Sequence, residues 1–243
     1  MLYLIGIGLN DEKDISVKGL EAVKKCEAVY LESYTSKLAC SIEDLEKFYG
    51  KKIITADRDL VEKKAEETIL KDAKEKDTAL LIIGDVFGAT THVDLLLRAK
   101  KEKIETKIIH NASILTAIGV TGLELYKFGK VTSIPFENEN VKSPIEVLEN
   151  NQKIGLHTLF LLDLDPKNNK FLTVSDAAKY LLNNGVDENK LTIACAQLGS
   201  DEPFITVDKL KALEKLEVDK YPQCLIIPGK LHFMEEGSLK IYS

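Results

Sequence analysis

Short apolar runs alternate with amphipathic segments along most of the chain, which is the pattern of repeated strand–helix units. The first half contains five such runs: LYLIGIG, AVYLE, KIIT, TALLIIGD and TKIIHN. TALLIIGD shows no polar–apolar alternation, which is typical of a strand buried on both faces of a parallel sheet. The intervening segments DISVKGLEAVKKCEA and THVDLLLRAKKE carry apolar residues at helical spacing. Together they predict an α/β layer architecture.

Capping residues predict where several helices begin and end. Asp14 or Ser16 can cap the first helix, and a second helix begins at Ser41 and ends at Gly50 in the left-handed conformation. The lysine- and glutamate-rich segment 60–74 is predicted to be one helix.

After Asn111 the pattern continues less regularly. ASILTAIGVTGLELY is predicted to be a helix with two glycines, ENENVKSP a loop, and TVSDAAKYLLNNG a capped helix. GLHTLFLLDL, LTIACAQLG and QCLIIPG are predicted strands, the last two separated by a helix over VDKLKALEKLE. We therefore expect two α/β domains, residues 1–112 and 113–243, with a cleft between them.

Composition narrows the function classes. The 243 residues are 44% hydrophobic and 30% charged, with a net charge of -6, which favours a soluble globular protein and disfavours nucleic-acid binding. No apolar run is long enough to span a bilayer and no signal peptide is recognisable, so we expect a cytoplasmic protein. The 4 cysteines lack CxxC spacing and the 4 histidines are dispersed. We expect reduced thiols and no metal site.

Three predicted strands end in small or polar residues. Gly6-Ile7-Gly8 follows the first strand, Gly84-Asp85 the fourth, and His110-Asn111-Ala112-Ser113 the fifth. Any one of these turns is more often structural than functional. Because ligands bind at the carboxyl ends of strands in open α/β sheets, three such turns favour a shared pocket.

The ligand of this pocket is not expected to carry a diphosphate. The third glycine of a dinucleotide fingerprint is missing, the carboxylates of residues 11, 12 and 14 follow Gly8, and no P-loop motif occurs. S-adenosylmethionine, a phosphate-free sulfonium compound with an amino group, is chemically compatible with such turns.

The chain resembles the diphthine synthases, methyltransferases of diphthamide biosynthesis within the tetrapyrrole-methylase-like class. The resemblance covers essentially the whole chain, through LYLIGIGLND, GDVFGATTH, IHNASI, LYKFGK and HTLFLLDL. It implies two α/β domains of the tetrapyrrole-methylase-like type, usually in a homodimer, with S-adenosylmethionine in the interdomain cleft and S-adenosylhomocysteine as product. The implied substrate is translation elongation factor 2, whose modified histidine carries a 3-amino-3-carboxypropyl group that is N-methylated successively to diphthine.

The resemblance also implies a set of donor-binding residues. They are Leu9, Asp85, Gly88, Ser113 and Ile114 in the first half, and Leu162, Leu198 and Gln223 in the second. Two positions depart from the family pattern: Gln223 stands where relatives usually have histidine, and Val86 where they have proline. Glutamine still donates and accepts hydrogen bonds but cannot become cationic.

No catalytic acid or base is assigned from the sequence. Asp85 is interpreted as a donor-binding residue, and the histidines as packing or hydrogen-bonding residues. Lys127 or Lys130 in LYKFGK could pair with the substrate carboxylate. The compact second half favours the archaeal pattern of three methyl groups on nitrogen over an additional methyl ester.

Two alternatives stay open from the sequence. One is a small-molecule methyltransferase of the same fold acting on a corrin or porphyrin precursor. Such an enzyme would not be expected to carry FGATTH or LYKFG. The other is a non-catalytic nucleoside-binding relative, which only Gln223 and Val86 support.

Overall fold

The computed structural model describes all 243 residues, which form two compact units, Met1–Leu115 and Thr116–Ser243. The domain boundary predicted between residues 112 and 113 stays a prediction. The longest helix has 11 residues, and none combines the length and hydropathy that a bilayer crossing needs.

The first unit alternates strands and helices. Its strands are β1 (Leu2–Gly6), β2 (Ala28–Glu32), β3 (Ile54–Ala56), β4 (Thr78–Ile82) and β5 (Thr106–Ile109). Its helices are α1 (Val17–Lys25), α2 (Ile42–Tyr49), α3 (Arg58–Glu62), α4 (Ile69–Glu75) and α5 (Val93–Lys101). A short 3-10 helix, Ala65–Glu67, lies between α3 and α4.

The five strands form one sheet in the order β3-β2-β4-β1-β5, and every pair is parallel. Alternate residues of β1 enter two different cores, with Leu2 and Leu4 on one face and Tyr3 and Ile5 on the other. Helices α1 and α2 cover the second face, while α3, α4 and α5 cover the first. The expected α/β class is therefore confirmed.

Local sequence signals set most helix ends in this unit. Ser16 caps α1 by accepting from Gly19 N, and Ser41 forms a capping box with Asp44 at the start of α2. Gly50 ends α2 at φ 68°, the left-handed conformation that glycine adopts without a Cβ penalty. These ends agree with the sequence prediction.

The predicted continuous helix over 60–74 is wrong. The segment is broken into α3, the 3-10 turn and α4. Thr68 Oγ1 donates a 2.7 Å hydrogen bond to the carbonyl of Lys64, and the Thr68 backbone leaves the helical region at φ -128°, ψ -96°. Side-chain bonding of this kind competes with the regular helix ladder, while Ala65 and Ile69 stay fully buried.

The second unit is less regular. Its strands are β6 (Thr132–Ile134), β7 (Thr158–Leu162), β8 (Leu164–Asp165), β9 (Lys170–Phe171), β10 (Leu191–Ala196), β11 (Phe204–Lys209) and β12 (Gln223–Ile227). Its helices are α7 (Ser143–Lys153), α8 (Val174–Asn183), α9 (Leu210–Leu213) and α10 (Phe233–Leu239), and a single turn, α6 (Ile114–Ala117), precedes them.

The main sheet of this unit has the order β11-β10-β12-β7-β6. Only β6 and β7 pair in parallel, and the other neighbours are antiparallel. Helices α7, α8 and α9 pack on it through Leu148, Leu181 and Leu213. The sheet makes this an α/β unit of mixed strand direction.

Two predicted helices in the second half are wrong. Residues 112–126 form the turn α6 and two 3-10 segments, because Gly122 adopts φ 83° and interrupts the helix. Residues 207–209 belong to β11, and only 210–213 of the predicted helix are helical. The full cross-strand register from Leu191–Lys209 to Ala196–Phe204 shows that sheet pairing overrides the local helical pattern.

The buried carboxylate of Glu235, in α10, accepts hydrogen bonds from three other parts of this unit. They are the chain near residue 124, His157 directly before β7, and His232 directly before α10. Glu235 is 0% exposed and accepts from Glu124 N at 3.0 Å, His157 Nε2 at 2.8 Å and His232 N at 2.7 Å. Its fourth partner is the ammonium of Lys127. His157 Nδ1 accepts from Gly229 N at 2.9 Å, so Nε2 carries the proton that faces Glu235.

This cluster changes the interpretation of Lys127. Its ammonium is neutralised within the protein, so it is not an open partner for a substrate carboxylate. Burial opposes ionisation of Glu235, but the four donors outweigh it and lower the carboxyl pKa to about 2. Burial lowers the pKa of His157 against the opposing effect of Glu235.

We expect acid to destabilise this unit in two steps. Both groups bind fewer protons in the folded protein than in the unfolded chain. The free energy of unfolding therefore begins to fall as pH drops below the ordinary histidine pKa of about 6.5, because the unfolded chain protonates His157 first. The Glu235 contribution is present above the ordinary glutamate pKa and is lost as pH falls toward about 2. Glu235→Gln is expected to lower the free energy of unfolding at pH 7 by about 3 kcal/mol, since it removes the buried counter-charge of Lys127 and leaves only Glu124, at 3.8 Å, beside the ammonium.

Urea unfolding at pH 7, 5 and 3.5 tests this expectation. Glu236→Gln is the matched control, because Glu236 lies in the same helix and is exposed. Equal effects of the two variants would contradict the assigned role of Glu235.

Candidate functional site

The strand order of the first unit creates a crevice between β1 and β4. The chain leaves β1 toward β2 through α1 on one face of the sheet, and leaves β4 toward β5 through α5 on the opposite face. Adjacent parallel strands whose connections lie on opposite faces form a topological switch point, where open α/β sheets bind ligands. The turns after Gly6 and after Ile82 lie at this point.

Two backbone hydrogen bonds between residues 8 and 84 connect the turns on either side of the crevice. Gly84 N donates to Gly8 O at 2.7 Å and Gly8 N donates to Gly84 O at 3.3 Å. Gly8 has φ 84° and Gly84 has φ 87°, a region that favours glycine. A Cβ on Gly8 would lie 2.3 Å from Asp14 Cβ, so the turn requires glycine on grounds of both conformation and space.

Asp14 holds the turn that carries Leu9. Its Oδ2 accepts from Leu9 N at 3.1 Å and from Asn10 N at 2.7 Å. The Leu9 side chain lies beside Gly84, where a Cβ would be 3.5 Å from Leu9 Cδ2. Asp14 therefore positions a predicted donor-binding residue, while Ser16 performs the capping.

Asp85 is anchored by three donors at the end of β4. Its Oδ1 accepts from Phe87 N at 2.9 Å, and its Oδ2 accepts from Asn111 N at 3.0 Å and contacts His110 Nδ1 at 2.9 Å. Burial opposes ionisation, but these bonds outweigh it and lower the pKa of Asp85. An ionised carboxylate has about four acceptor positions, so Asp85 is fixed and keeps capacity for a ligand.

Asn111 connects the ends of β1 and β5. Its Nδ2 donates to Gly6 O and Asp14 O, both at 3.0 Å, and its Oδ1 accepts from Ala112 N at 2.7 Å. The side chain therefore joins the turns after β1 and β5, and the backbone N–H of Asn111 donates to Asp85 in the turn after β4. One residue contacts all three turns that the sequence suggested would converge.

Gly88 and Ser113 are in close contact. A Cβ on Gly88 would lie 2.5 Å from Ser113 Cβ, so the loop after β4 approaches the turn after β5 because residue 88 has no side chain. Ile114 follows directly as the first residue of α6. Four predicted residues, Leu9, Asp85, Gly88 and Ser113, thus lie at one edge of the first sheet, with Ile114 adjoining them along the chain.

The three predicted residues of the second unit also share a sheet edge. Leu162 ends β7, Leu198 follows β10 by two residues, and Gln223 begins the antiparallel neighbour β12. The register pairs Gln223 with Ala196, and Leu161 with the next residue of β12. This places all three at the same end of their strands.

The Gln223 side chain is used within the protein. Its Oε1 accepts from Val174 N at 2.8 Å, and its Nε2 donates to Val218 O at 2.8 Å and Lys220 O at 3.0 Å. It is 6% exposed. The amide therefore fixes the first turn of α8 and the loop before β12, and its departure from the family histidine has a structural explanation.

Three residues outside the predicted donor-binding set organise the first unit's edge. Asp14, His110 and Asn111 hold the predicted residues in place through hydrogen bonds. Asn111 and His110 lie inside IHNASI, so the motif contained the signal, although the partners of each side chain required the structure.

Comparison with known proteins identifies the family of the chain. The model of the tetrapyrrole (corrin/porphyrin) methylases matches residues 1–214. A diphthine methyl ester synthase of Homo sapiens is 42% identical over 272 aligned residues, covering 100% of this chain and 95% of the relative. The chain belongs to the diphthine synthase family of tetrapyrrole methylases.

Further relatives agree over the full length. A diphthine methyl ester synthase of Schizosaccharomyces pombe is 40% identical and covers 100% of this chain and 94% of the relative. A solved diphthine synthase superposes with a TM-score of 0.94 at 38% identity, covering 100% of this chain and 95% of that chain. These matches confirm the family resemblance seen in the sequence and the methyltransferase class. The function of the chain is S-adenosylmethionine-dependent methyl transfer in diphthamide biosynthesis.

We expect Asp85→Ala to weaken donor binding by about tenfold or more, because an anchored charge-assisted acceptor is lost. Titration calorimetry with S-adenosylhomocysteine measures the affinity, and circular dichroism checks the fold. Asp201→Ala, at an exposed position, is the control. Unchanged affinity in a folded Asp85→Ala protein would remove this residue from the donor site.

We expect Gln223→Leu to destabilise the protein by about 2 kcal/mol, since it leaves the buried Val174 N–H unpaired. Gln223→His, which keeps a hydrogen-bonding side chain, is the comparison variant. Chemical unfolding measures stability and calorimetry measures donor affinity. Loss of donor affinity without loss of stability in Gln223→Leu would show that the amide serves the ligand instead.

Proposed function

We propose that this protein transfers methyl groups from S-adenosylmethionine to the 3-amino-3-carboxypropyl group on the modified histidine of translation elongation factor 2. The observation that carries the proposal is full-length similarity to diphthine methyl ester synthases at 40–42% identity. The organised switch point in the first unit supports it independently, because it offers a site of the kind that open α/β sheets use for ligands.

The proposed donor site takes members from both halves of the chain, as the family resemblance implies. Leu9, Asp85, Gly88, Ser113 and Ile114 are its proposed members in the first unit, and Leu162, Leu198 and Gln223 in the second. The first unit suits S-adenosylmethionine, because Asp85 offers an anchored carboxylate to the amino and hydroxyl groups of this cofactor. The side-chain amide of Gln223 is used in hydrogen bonds within the protein, so we expect residue 223 to contact the donor through its backbone.

The bound cofactor supplies a methyl group already activated by its sulfonium. The protein's part is to bind, orient and exclude water. Asp85, held ionised by its three donors, orients positive or hydroxyl groups of the donor. The accepting amine must reach the site as the free base, and we assign no protein group to remove its proton.

The number of methyl groups is a second part of the proposal. The relatives are named for a methyl ester, which favours methylation of the substrate carboxylate after the nitrogen. This differs from the archaeal pattern that the compact second half suggested. We therefore propose three transfers to nitrogen followed by one to a carboxylate oxygen.

The two sequence departures no longer favour a non-catalytic relative. Gln223 has a structural role through three hydrogen bonds. Val86 is 0% exposed and packs in the first core, so an apolar residue in place of proline is accommodated there. We also propose a homodimer, as the family resemblance implies, and a cytoplasmic location.

Incubation with S-adenosylmethionine and elongation factor 2 carrying the 3-amino-3-carboxypropyl histidine tests the proposal. We expect the modified peptide to gain mass in methyl steps, ending in an alkali-labile methyl ester. Factor 2 with unmodified histidine is the control and is expected to gain nothing. No gain by the modified factor, with a folded protein that binds the donor, would reject the proposal.

A further inference from the structure

One imidazole at the edge of the first sheet uses only one of its two nitrogens within the protein. His110 directly follows β5, and its Nδ1 contacts Asp85 Oδ2 at 2.9 Å. Burial opposes ionisation of Asp85, but its hydrogen bonds outweigh this effect and lower the carboxyl pKa. Because an ionised carboxylate only accepts, Nδ1 carries the proton and donates it. In the neutral ring Nε2 therefore holds a lone pair, and no group of the chain donates to it.

The His110 ring is held in place and yet open to solvent. Its carboxylate partner is itself anchored by the N–H groups of Phe87 and Asn111. The Phe87 ring packs edge-on against the imidazole, with the two centroids 6.2 Å apart and the planes at 63°. The His110 side chain is 69% exposed, whereas that of Asp85 is 14% exposed. An oriented lone pair is thus presented to any group that approaches this edge from solvent.

The other three histidines lack this combination. His157 is fully buried and uses both ring nitrogens in hydrogen bonds within the protein. His92 is 2% exposed, and burial lowers its pKa to about 4. His232 caps α10 in the second unit. Among the histidines, His110 alone has both a contact with a proposed donor-binding residue and an unused, accessible nitrogen.

The proposed reaction requires a proton acceptor at the site. A protonated amine has no lone pair, so it cannot attack the methyl carbon. A nitrogen that receives three methyl groups starts as an ammonium with three protons and loses one proton before each transfer. The second and third protons are lost from a nitrogen that has just reacted beside the donor. A base within the site removes them while the substrate stays bound.

We propose that His110 is the catalytic base of the nitrogen transfers, with Nε2 accepting the proton of the substrate ammonium. The inference rests on the proposed function. An amine that attacks a donor held by Asp85 must approach the same sheet edge, where the Nε2 lone pair is exposed. The Asp85 carboxylate fixes the ring orientation and stabilises the imidazolium that forms. Histidine is the residue that most often performs such proton transfers.

Each nitrogen transfer is balanced in protons and electrons. The ammonium N–H bond breaks, its proton goes to His110 Nε2, and the electron pair stays on nitrogen. This pair forms the bond to the methyl carbon while the carbon–sulfur bond breaks, and the electrons of that bond leave on sulfur as a neutral thioether. The exposed imidazolium then returns its proton to solvent. Transfer to the carboxylate differs, because an ionised oxygen attacks with its own lone pair and no proton has to be removed.

The first test examines the free protein, without donor or substrate. Long-range 1H–15N NMR at pH 8 shows which ring nitrogen of each histidine carries the proton, and the spectrum of His110→Asn identifies the His110 signals by their loss. We expect a protonated Nδ1 and an unprotonated Nε2. A proton on Nε2 would overturn the proposal, whether or not the protein methylates elongation factor 2.

A variant separates proton transfer from positioning. His110→Asn keeps an N–H donor where Nδ1 lies and removes Nε2, so Asp85 keeps its partner. We expect this variant to slow nitrogen methylation of modified elongation factor 2 by about 100-fold, with unchanged affinity for S-adenosylhomocysteine. Lys107→Ala, at an exposed position of the same strand, is the matched control and is expected to change neither quantity. Normal nitrogen methylation by His110→Asn would overturn the proposal.

The ester step provides a control that needs no base. Its substrate is elongation factor 2 with a trimethylated nitrogen, prepared with the unaltered protein and freed of its ester by mild alkali. We expect His110→Asn to esterify this substrate at the normal rate, and added imidazole to restore nitrogen methylation to His110→Ala. Equal slowing of both kinds of transfer, without rescue by imidazole, would indicate a positioning role and overturn the proposal. Absence of all transfer by the unaltered protein, folded and able to bind the donor, would instead reject the proposed function and, with it, this substrate for His110.

Discussion

The reciprocal backbone pairing of Gly8 with Gly84 is the constraint on which the candidate donor site depends. It joins the chain just beyond β1 to the chain just beyond β4, at the point where their connections pass to opposite faces of the sheet. Both residues have positive φ, which glycine adopts without steric cost. Because this joint fixes both turns, Leu9 and Asp85 start from defined backbone positions, and the remaining contacts only need to orient side chains.

Carboxylates provide that orientation in both units by accepting backbone N–H groups. Asp85 accepts from Phe87 and Asn111, and in the second unit Glu235 accepts from Glu124 and His232. In each case hydrogen bonds outweigh burial and keep the group ionised. The motifs that carry the family resemblance therefore include framework residues, since Lys127 of LYKFGK and His157 of HTLFLLDL both bind Glu235.

The sequence was sufficient for elements whose signals are local. Uninterrupted apolar runs predicted the parallel strands, and Ser41 and Gly50 predicted both ends of α2. It was insufficient where distant pairing decides the conformation. Strand β11 forms because Val207 pairs with Ile193, although residues 207–217 follow a helical pattern in the sequence. The candidate site follows the same rule. The strand-end glycines and Asp85 were recognisable from local sequence, but the hydrogen bond of the Gln223 amide depends on Val174, which lies 49 residues away.

Several residues of the loop after β4 are each required by a separate contact. Asp85 accepts from Asn111, Gly88 lets the chain approach Ser113, and His92 is buried directly before α5. Ala89 adopts φ 62°, which is uncommon for a residue with a side chain, and the bond from Thr90 to the Val86 carbonyl closes the turn around it. Such a conformation persists when its surroundings over-determine it. The loop is therefore held at Asp85 by the N–H groups of Phe87 and Asn111 and at Gly88 by its contact with Ser113, so the position of the Asp85 carboxylate does not depend on a bound ligand.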